Sequence, residues 1–297
     1  MKRIKHIGLI ILVILVSGVL IHAVPEETKK KITQEGTSNY FPTAVDFAGE
    51  SAPLNISDVR ERFERELLVN ANLDATTLLI IKRANRAFPV IEPILAKYGV
   101  PDDFKYLAVA ESGLLNATSS AGAKGFWQFM PETAREHGME VNDVVDERYH
   151  LQKSTEAACR YLLNAKFKFG SWTMAAASYN GGMTGVNKQI EIQKVTNYYD
   201  LLLTDETFRY VFRILALKEI MKNPAVYGFN IVPEELYENL PVRKIEVDTT
   251  ITDLADFAKA QGINYKILKI HNPWLRDKKL LNTTGKKYTI DIPLKGY

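Results

Sequence analysis

Three short pieces between Phe104 and Gly182 constrain this chain more than anything else in it. The first is Ala110-Glu111-Ser112-Gly113, which closes an apolar helical run. The second is Gly125-Phe126-Trp127-Gln128-Phe129-Met130-Pro131-Glu132-Thr133-Ala134, and the third is Ala177-Ser178-Tyr179-Asn180-Gly181-Gly182. Pro101 suits the first turn of a helix, with Asp102 and Asp103 favourable at its positive end. That helix runs through Tyr106, Leu107 and Ala110 and brings Glu111 to the carbonyl end, where a carboxylate is disfavoured. Apolar neighbours Tyr106, Leu107, Val109 and Ala110 also favour the neutral acid. A glutamic acid still protonated near neutral pH is what general-acid cleavage of a glycosidic bond requires. Taken alone, a glutamate at a helix end is more often a solvated side chain.

The surrounding pattern is helical. Ser57-Asp58 starts a helix with Val59, Phe63 and Leu67 on one face. Leu78 to Phe88 forms another, and Pro89 opens a further one that ends at Tyr98-Gly99. More helices are expected over Pro131 to His137, Gln152 to Phe169, Trp172 to Tyr179 and Glu206 to Lys222. After Pro241 the texture changes: Lys244–Val247 and Lys287–Ile292 alternate like strands, and residues 252–260 and 264–271 read as short helices between them.

The three pieces, in this order and at this spacing, resemble the catalytic domain of the soluble-lytic-transglycosylase (SLT) superfamily, over roughly residues 75–230. Phe126-Trp127 stands where Leu-Met is usual in that family. With Tyr210-Val211 and Asn223-Pro224 it resembles the membrane-bound lytic murein transglycosylase D group. Strand–helix–helix–strand with Asn272-Pro273-Trp274-Leu275 resembles a LysM domain, although Asp248-Thr249-Thr250 replaces its usual Gly-Asp and Gly285 alone remains of its Pro-Gly turn. The fold implied is mainly α: a lysozyme-like (goose-type/SLT) helical catalytic domain over residues 53–235, plus a small βααβ LysM-like domain over residues 242–297. The C-terminal domain either binds glycan or only packs on the catalytic body.

The resemblance implies a lyase that acts on peptidoglycan glycan strands with Glu111 as its single acid and base, and without a cofactor. Tyr179 and Asn180 match motif positions that face the family's cleft. Gln128 offers hydrogen bonds to substrate or to Glu111, and Ser119 matches a family serine near the acid. Ser112 caps the helix end. Trp127 is either a wall of the cleft, and so a substrate-binding residue, or part of the core. Most glycosidases use two carboxylates; Glu132, Asp143, Asp146 and Glu147 are near in sequence, but the motif supplies only one. A lysozyme-type hydrolase on the same scaffold and an inactive peptidoglycan-binding scaffold are the alternatives. Retention of Glu111, Gln128, Tyr179 and Asn180 together favours an active enzyme.

Charge and the N-terminus narrow the setting. Of 38 Lys and Arg, Lys2, Arg3 and Lys5 precede the first acid, Glu26, which leaves 35 basic against 35 acidic residues beyond residue 24. A nucleic-acid binder would keep a basic excess on its folded part. Lys2, Arg3, Lys5 and His6 followed by aliphatic Ile7–Ile21 read as residues 1–24 of an exported chain. They form either a cleaved signal peptide ending near Ala23 or an uncleaved membrane anchor through residues 7–21, short for a span. The periplasm or cell envelope is the expected place. Residues 25–52 read as a flexible linker. Cys159, the only cysteine, is expected to be a small buried hydrophobe, and His137, His150 and His271 show no metal-ligand spacing.

Overall fold

The computed structural model describes residues 40–295. The expected signal or anchor (1–24) and residues 25–39 of the expected linker lie outside the described residues. Residues 41–52 are folded, which corrects the expectation of a tether to residue 52. β1 (Asp46–Phe47) and β2 (Glu50–Ser51) form a short antiparallel hairpin. Phe47 is buried edge-on against Phe104, with ring centroids 4.9 Å apart. The Lys218 ammonium donates to the Asp46 carbonyl at 2.7 Å and to Asp103 at 2.6 Å. Strands of two residues carry no periodicity to read; tertiary burial makes this hairpin.

α1 (Ser57–Ala71) turns Val59, Phe63 and Leu67 inward, as their spacing predicts. α2 (Asp74–Tyr98) is one continuous helix with Pro89 and Pro93 inside it, where a break at Pro89 was expected. Each proline removes one backbone donor and frees the carbonyl four residues earlier. Asn85, Pro89 and Pro93 share the exposed side of the helix, so the carbonyls freed at 85 and 89 face water. Ala84, Ala87, Ile91 and Leu95 are buried on the opposite side. α3 (Lys105–Ser112), α4 (Pro131–Glu136), α5 (Leu151–Phe169) and α6 (Trp172–Gly181) follow. α7 (Met183–Gln193) has no counterpart in the sequence reading, because Val186 is its only fully buried residue.

α8 (Asp205–Lys222) is the central helix, buried from Tyr210 to Ile220 except at Arg213 and Glu219, and packs against α1, α3 and α6. Cys159 sits in this core, and burial pushes its thiol up to about 12, the inert hydrophobe expected.

The C-terminal element is β3 (Val242–Val247), α9 (Leu254–Ala260), α10 (Tyr265–His271) and β4 (Tyr288–Pro293), with β3 and β4 antiparallel and Ile245 opposite Ile290. Leu254, Ala258, Leu268, Ile290 and Ile292 form its core, which also takes in Val145 and Tyr149 from the helical body. Backbone bonds stitch the join: Asp146 N–H to the Trp274 carbonyl at 2.9 Å and Arg276 N–H to the Val144 carbonyl at 2.8 Å. No described helix is long and apolar enough to cross a membrane. Among the described residues no cluster of His, Cys, Asp and Glu is arranged to hold a metal.

Candidate active site

α3 ends where its sequence says it should. Gly113 adopts φ 58° and returns its N–H to the Val109 carbonyl at 2.8 Å, which leaves Glu111 in the last turn. The Glu111 carboxylate accepts a short hydrogen bond from the Tyr210 hydroxyl of α8. Burial pushes Glu111 up to about 7; the Tyr210 bond and the charge of Arg213 pull the other way, and Glu206 adds to the rise. Arg213 is engaged elsewhere, at 2.8 Å from Glu206 and 3.7 Å from Glu66. Among the described residues no cation lies within ion-pair distance of Glu111, so desolvation dominates.

The loop after α3 is built by its glycines and by Gln128. A Cβ on Gly125 would lie 1.9 Å from the Arg148 carbonyl oxygen, so only glycine fits there. The loop is held from behind: Arg148, in a bidentate pair with Asp146, also donates to the Gly122 and Phe129 carbonyls at 3.2 and 3.1 Å. Gln128 adopts φ 49°, and its Nε2 donates to the carbonyls of Gly125 (2.7 Å) and Ala117 (3.1 Å). The expected bond from Gln128 to Glu111 is not formed: its amide N–H groups staple the loop. Ser112 Oγ donates to the Phe126 carbonyl at 2.8 Å and fastens the helix end to the loop. Ser119 Oγ accepts from Ala123 N–H at 3.0 Å and closes the turn in which it sits.

Trp127 is corrected from cleft wall to core. It is 0% exposed, and its indole N–H donates to Thr155 at 2.9 Å. A ring sealed on every side has no face for a sugar. The neighbouring Phe126 is half-buried and keeps an open edge.

The third piece lies at the end of α6. The Tyr179 hydroxyl donates to the Trp127 carbonyl at 2.7 Å, and Asn180 Oδ1 accepts from Thr207 of α8 at 2.8 Å. The carboxamide N–H₂ of Asn180 is left available. A Cβ on Gly181 would meet Thr207 side-chain atoms at 2.9 and 3.0 Å, so glycine lets α6 and α8 approach this closely. Glu111, Tyr210 and Tyr179 are near enough to perturb one another's titration: each tyrosine is pushed up first by burial and then by the Glu111 charge.

Two participants were missed in the sequence. Tyr210 stood out there only as part of a resemblance; nothing local says that it meets Glu111. Glu50 belongs to the hairpin, yet its carboxylate accepts from Ser171 Oγ, Trp172 N–H, Thr173 N–H and Thr173 Oγ1 at 2.7 to 2.8 Å, at the start of α6. Burial would raise its pKa, but these bonds at a helix N-terminus outweigh it and hold Glu50 at about 2. The other candidate acids are occupied or remote from burial. Asp146 is paired with Arg148 and Glu147 with Lys153 and Lys286. Glu132 is 74% exposed beside Arg135, and Asp143 is exposed.

Comparison with known proteins finds two domain matches in the chain. Residues 89–202 match the transglycosylase SLT domain, and residues 243–296 match the soluble lytic transglycosylase C-terminal LysM-like domain. The chain is 29% identical over 259 residues to membrane-bound lytic murein transglycosylase D of Escherichia coli strain K12, and equally to that of strain CFT073. These alignments cover 84% of this chain and 55% of each relative, so the chain spans about half the length of the curated relatives it matches. The chain therefore carries a transglycosylase SLT domain followed by a soluble lytic transglycosylase C-terminal LysM-like domain.

Proposed function

We propose that this chain is a peptidoglycan lytic transglycosylase of the cell envelope, with residues 53–235 as catalytic domain and residues 242–297 as LysM-like domain. One observation carries the reading: Glu111 is sunk beside Tyr210, holds its proton up to about pH 7, and has no cation to ionise it. The relatives, membrane-bound lytic murein transglycosylases D, and the two family matches point the same way. The substrate bond is the β-1,4 linkage from N-acetylmuramic acid to N-acetylglucosamine. Tyr210 donates to Oε1, so Glu111 carries its acid proton on Oε2. That proton passes to the bridging oxygen, and the bond from that oxygen to the muramic C1 breaks. The sugar's own acetamido oxygen stabilises C1. Glu111, now a carboxylate, takes the proton of the C6 hydroxyl, and O6 closes on C1 as a 1,6-anhydro ring. Glu111 ends protonated as it began, and no water is consumed.

In this reading the free N–H₂ of Asn180 and the Tyr179 hydroxyl orient the acetamido group. Gln128 and Ser119 shape the loop that faces the sugar. A digest of purified peptidoglycan, analysed by mass spectrometry, tests the assignment. Wild type should release muropeptides lighter by one water than their reducing-end counterparts, and Glu111→Gln should release none. Reducing ends in place of anhydro ends would mean a hydrolase. Binding without any product would mean a scaffold.

A further inference from the structure

A groove lies where the helical body meets the C-terminal domain, with a volume of about 300 Å³. Gln152, Lys153 and Glu156, from the first turns of α5, form one wall. The outer face of the β3–β4 sheet forms the other, where Lys287 just before β4 is followed by Thr289 and Asp291 on the strand and Lys244 stands opposite Asp291. His150, Trp274, Tyr288 and Glu147, the last paired with Lys153 and Lys286, complete the lining.

Four of these side chains are uncommitted. Among the described residues, Gln152, Lys244, Thr289 and Asp291 make no side-chain hydrogen bond or ion pair. Lys244 and Asp291 are directly opposed across the two strands, yet they do not close to ion-pair distance. Asp291 is half-buried, and burial raises its pKa. The Nδ1 of His150 also has no partner. A groove that holds one open ammonium and one open carboxylate is complementary to a ligand bearing both charges.

The aromatic rings argue against a sugar here. Trp274 and Tyr288 stack on each other at 5.6 Å and 14°, and they are only 4% and 6% exposed. Neither offers a free ring face.

We propose that this groove binds a peptide carrying free ammonium and carboxylate groups, namely the stem peptide that hangs from the glycan strand. The inference rests on the peptidoglycan reading for its substrate, and it assigns the C-terminal domain and the body a joint peptide site whose lining does not include Glu111. Lys244 and Lys287 meet the peptide's carboxylates, Asp291 its ammonium, and Gln152 and Thr289 its amides.

The test is calorimetric titration of the full chain with L-Ala-γ-D-Glu-meso-diaminopimelate, and separately with the tetramer of N-acetylglucosamine. The peptide should bind saturably. Lys244→Gln and Asp291→Asn should each weaken it about tenfold, leaving the sugar tetramer's affinity and the thermal unfolding temperature unchanged. Peptide affinity equal in wild type and both variants would overturn the proposal. So would loss of the sugar tetramer in the variants, which would make the groove a sugar site. Digestion of peptide-free glycan, run alongside, reads the catalytic assignment independently: its absence with saturable peptide binding would sink the enzyme and leave the groove.

Discussion

Glu111 is held against its own charge, and this gives the site its pH behaviour. The folded chain keeps this proton after the unfolded chain has lost it, so folding stability falls as pH rises from the ordinary 4.5 to about 7 and is level beyond. Glu111→Gln removes that loss. The variant should be more stable than wild type by up to about 3 kcal/mol above neutrality, with the gap closing towards pH 4.5. Urea unfolding in acid and in mild alkali measures it; a gap independent of pH would mean that Glu111 is ordinary. The same variant should lose activity by a factor of the order of 10²–10⁴. In wild type, kcat/KM should fall as pH rises through about 7, where the acid is lost.

Tyr210 is a positioning residue on this view. Its bond favours the charged carboxylate, so Tyr210→Phe should raise the pKa of Glu111 further. The alkaline limb of the pH–rate profile should move upward while the rate falls by the order of tenfold. A purely structural tyrosine would change the rate and leave the limb in place.

At the scale of elements, the hairpin and α6 are one device. Ser171 caps α6 through Met174 N–H at 3.2 Å, and Glu50 reaches in from far along the chain to take the donors of Trp172 and Thr173. Because Glu50 sits at about 2, its contribution is complete above the ordinary value of 4.5 and is lost as pH falls toward 2. Glu50→Gln should cost about 2–3 kcal/mol at neutral pH, and the difference from wild type should shrink in acid. An unchanged unfolding midpoint at neutral pH would show that Ser171 alone suffices. The continuous α2 illustrates the opposite balance: two prolines are tolerated because the carbonyls they orphan are on the water side.

On the scale of the whole molecule, the C-terminal domain shares its core with the body through Val145, Tyr149, Trp274 and Leu275. Lys286 reaches across to Glu140 at 2.6 Å and Glu147 at 3.2 Å, and Tyr288 donates to Glu140 at 2.9 Å. Residues 41–295 belong to one compact unit and should unfold in a single cooperative transition. Leu275→Ala, at a fully buried side chain on the join, should lower stability by about 2–5 kcal/mol, and the transition should stay single. Two resolved transitions in wild-type calorimetry would show that the domains are independent.

The sequence alone determined the elements whose signals are local. Helix periodicity placed Val59, Phe63 and Leu67 inward, the Gly113 stop ended α3, and period-two alternation located β3 and β4, whereas Pro101 opens a 3-10 turn over Asp102–Phe104 and α3 begins only at Lys105. Helix direction and apolar neighbours made Glu111 a candidate, and the three pieces at the spacing of the family they resemble singled it out. Tertiary structure decided what depends on partners distant in the chain. It joined Tyr210 to Glu111 across 99 residues, sent Glu50 to α6, spent Gln128 on its own loop and sealed Trp127 inside the core. It also made a helix through Pro89, because which carbonyls meet water is settled only when the helix finds its neighbours. A local pattern fixes the backbone's preference; the desolvation, charge pairing and side-chain reach that make a site depend on which elements come to lie together.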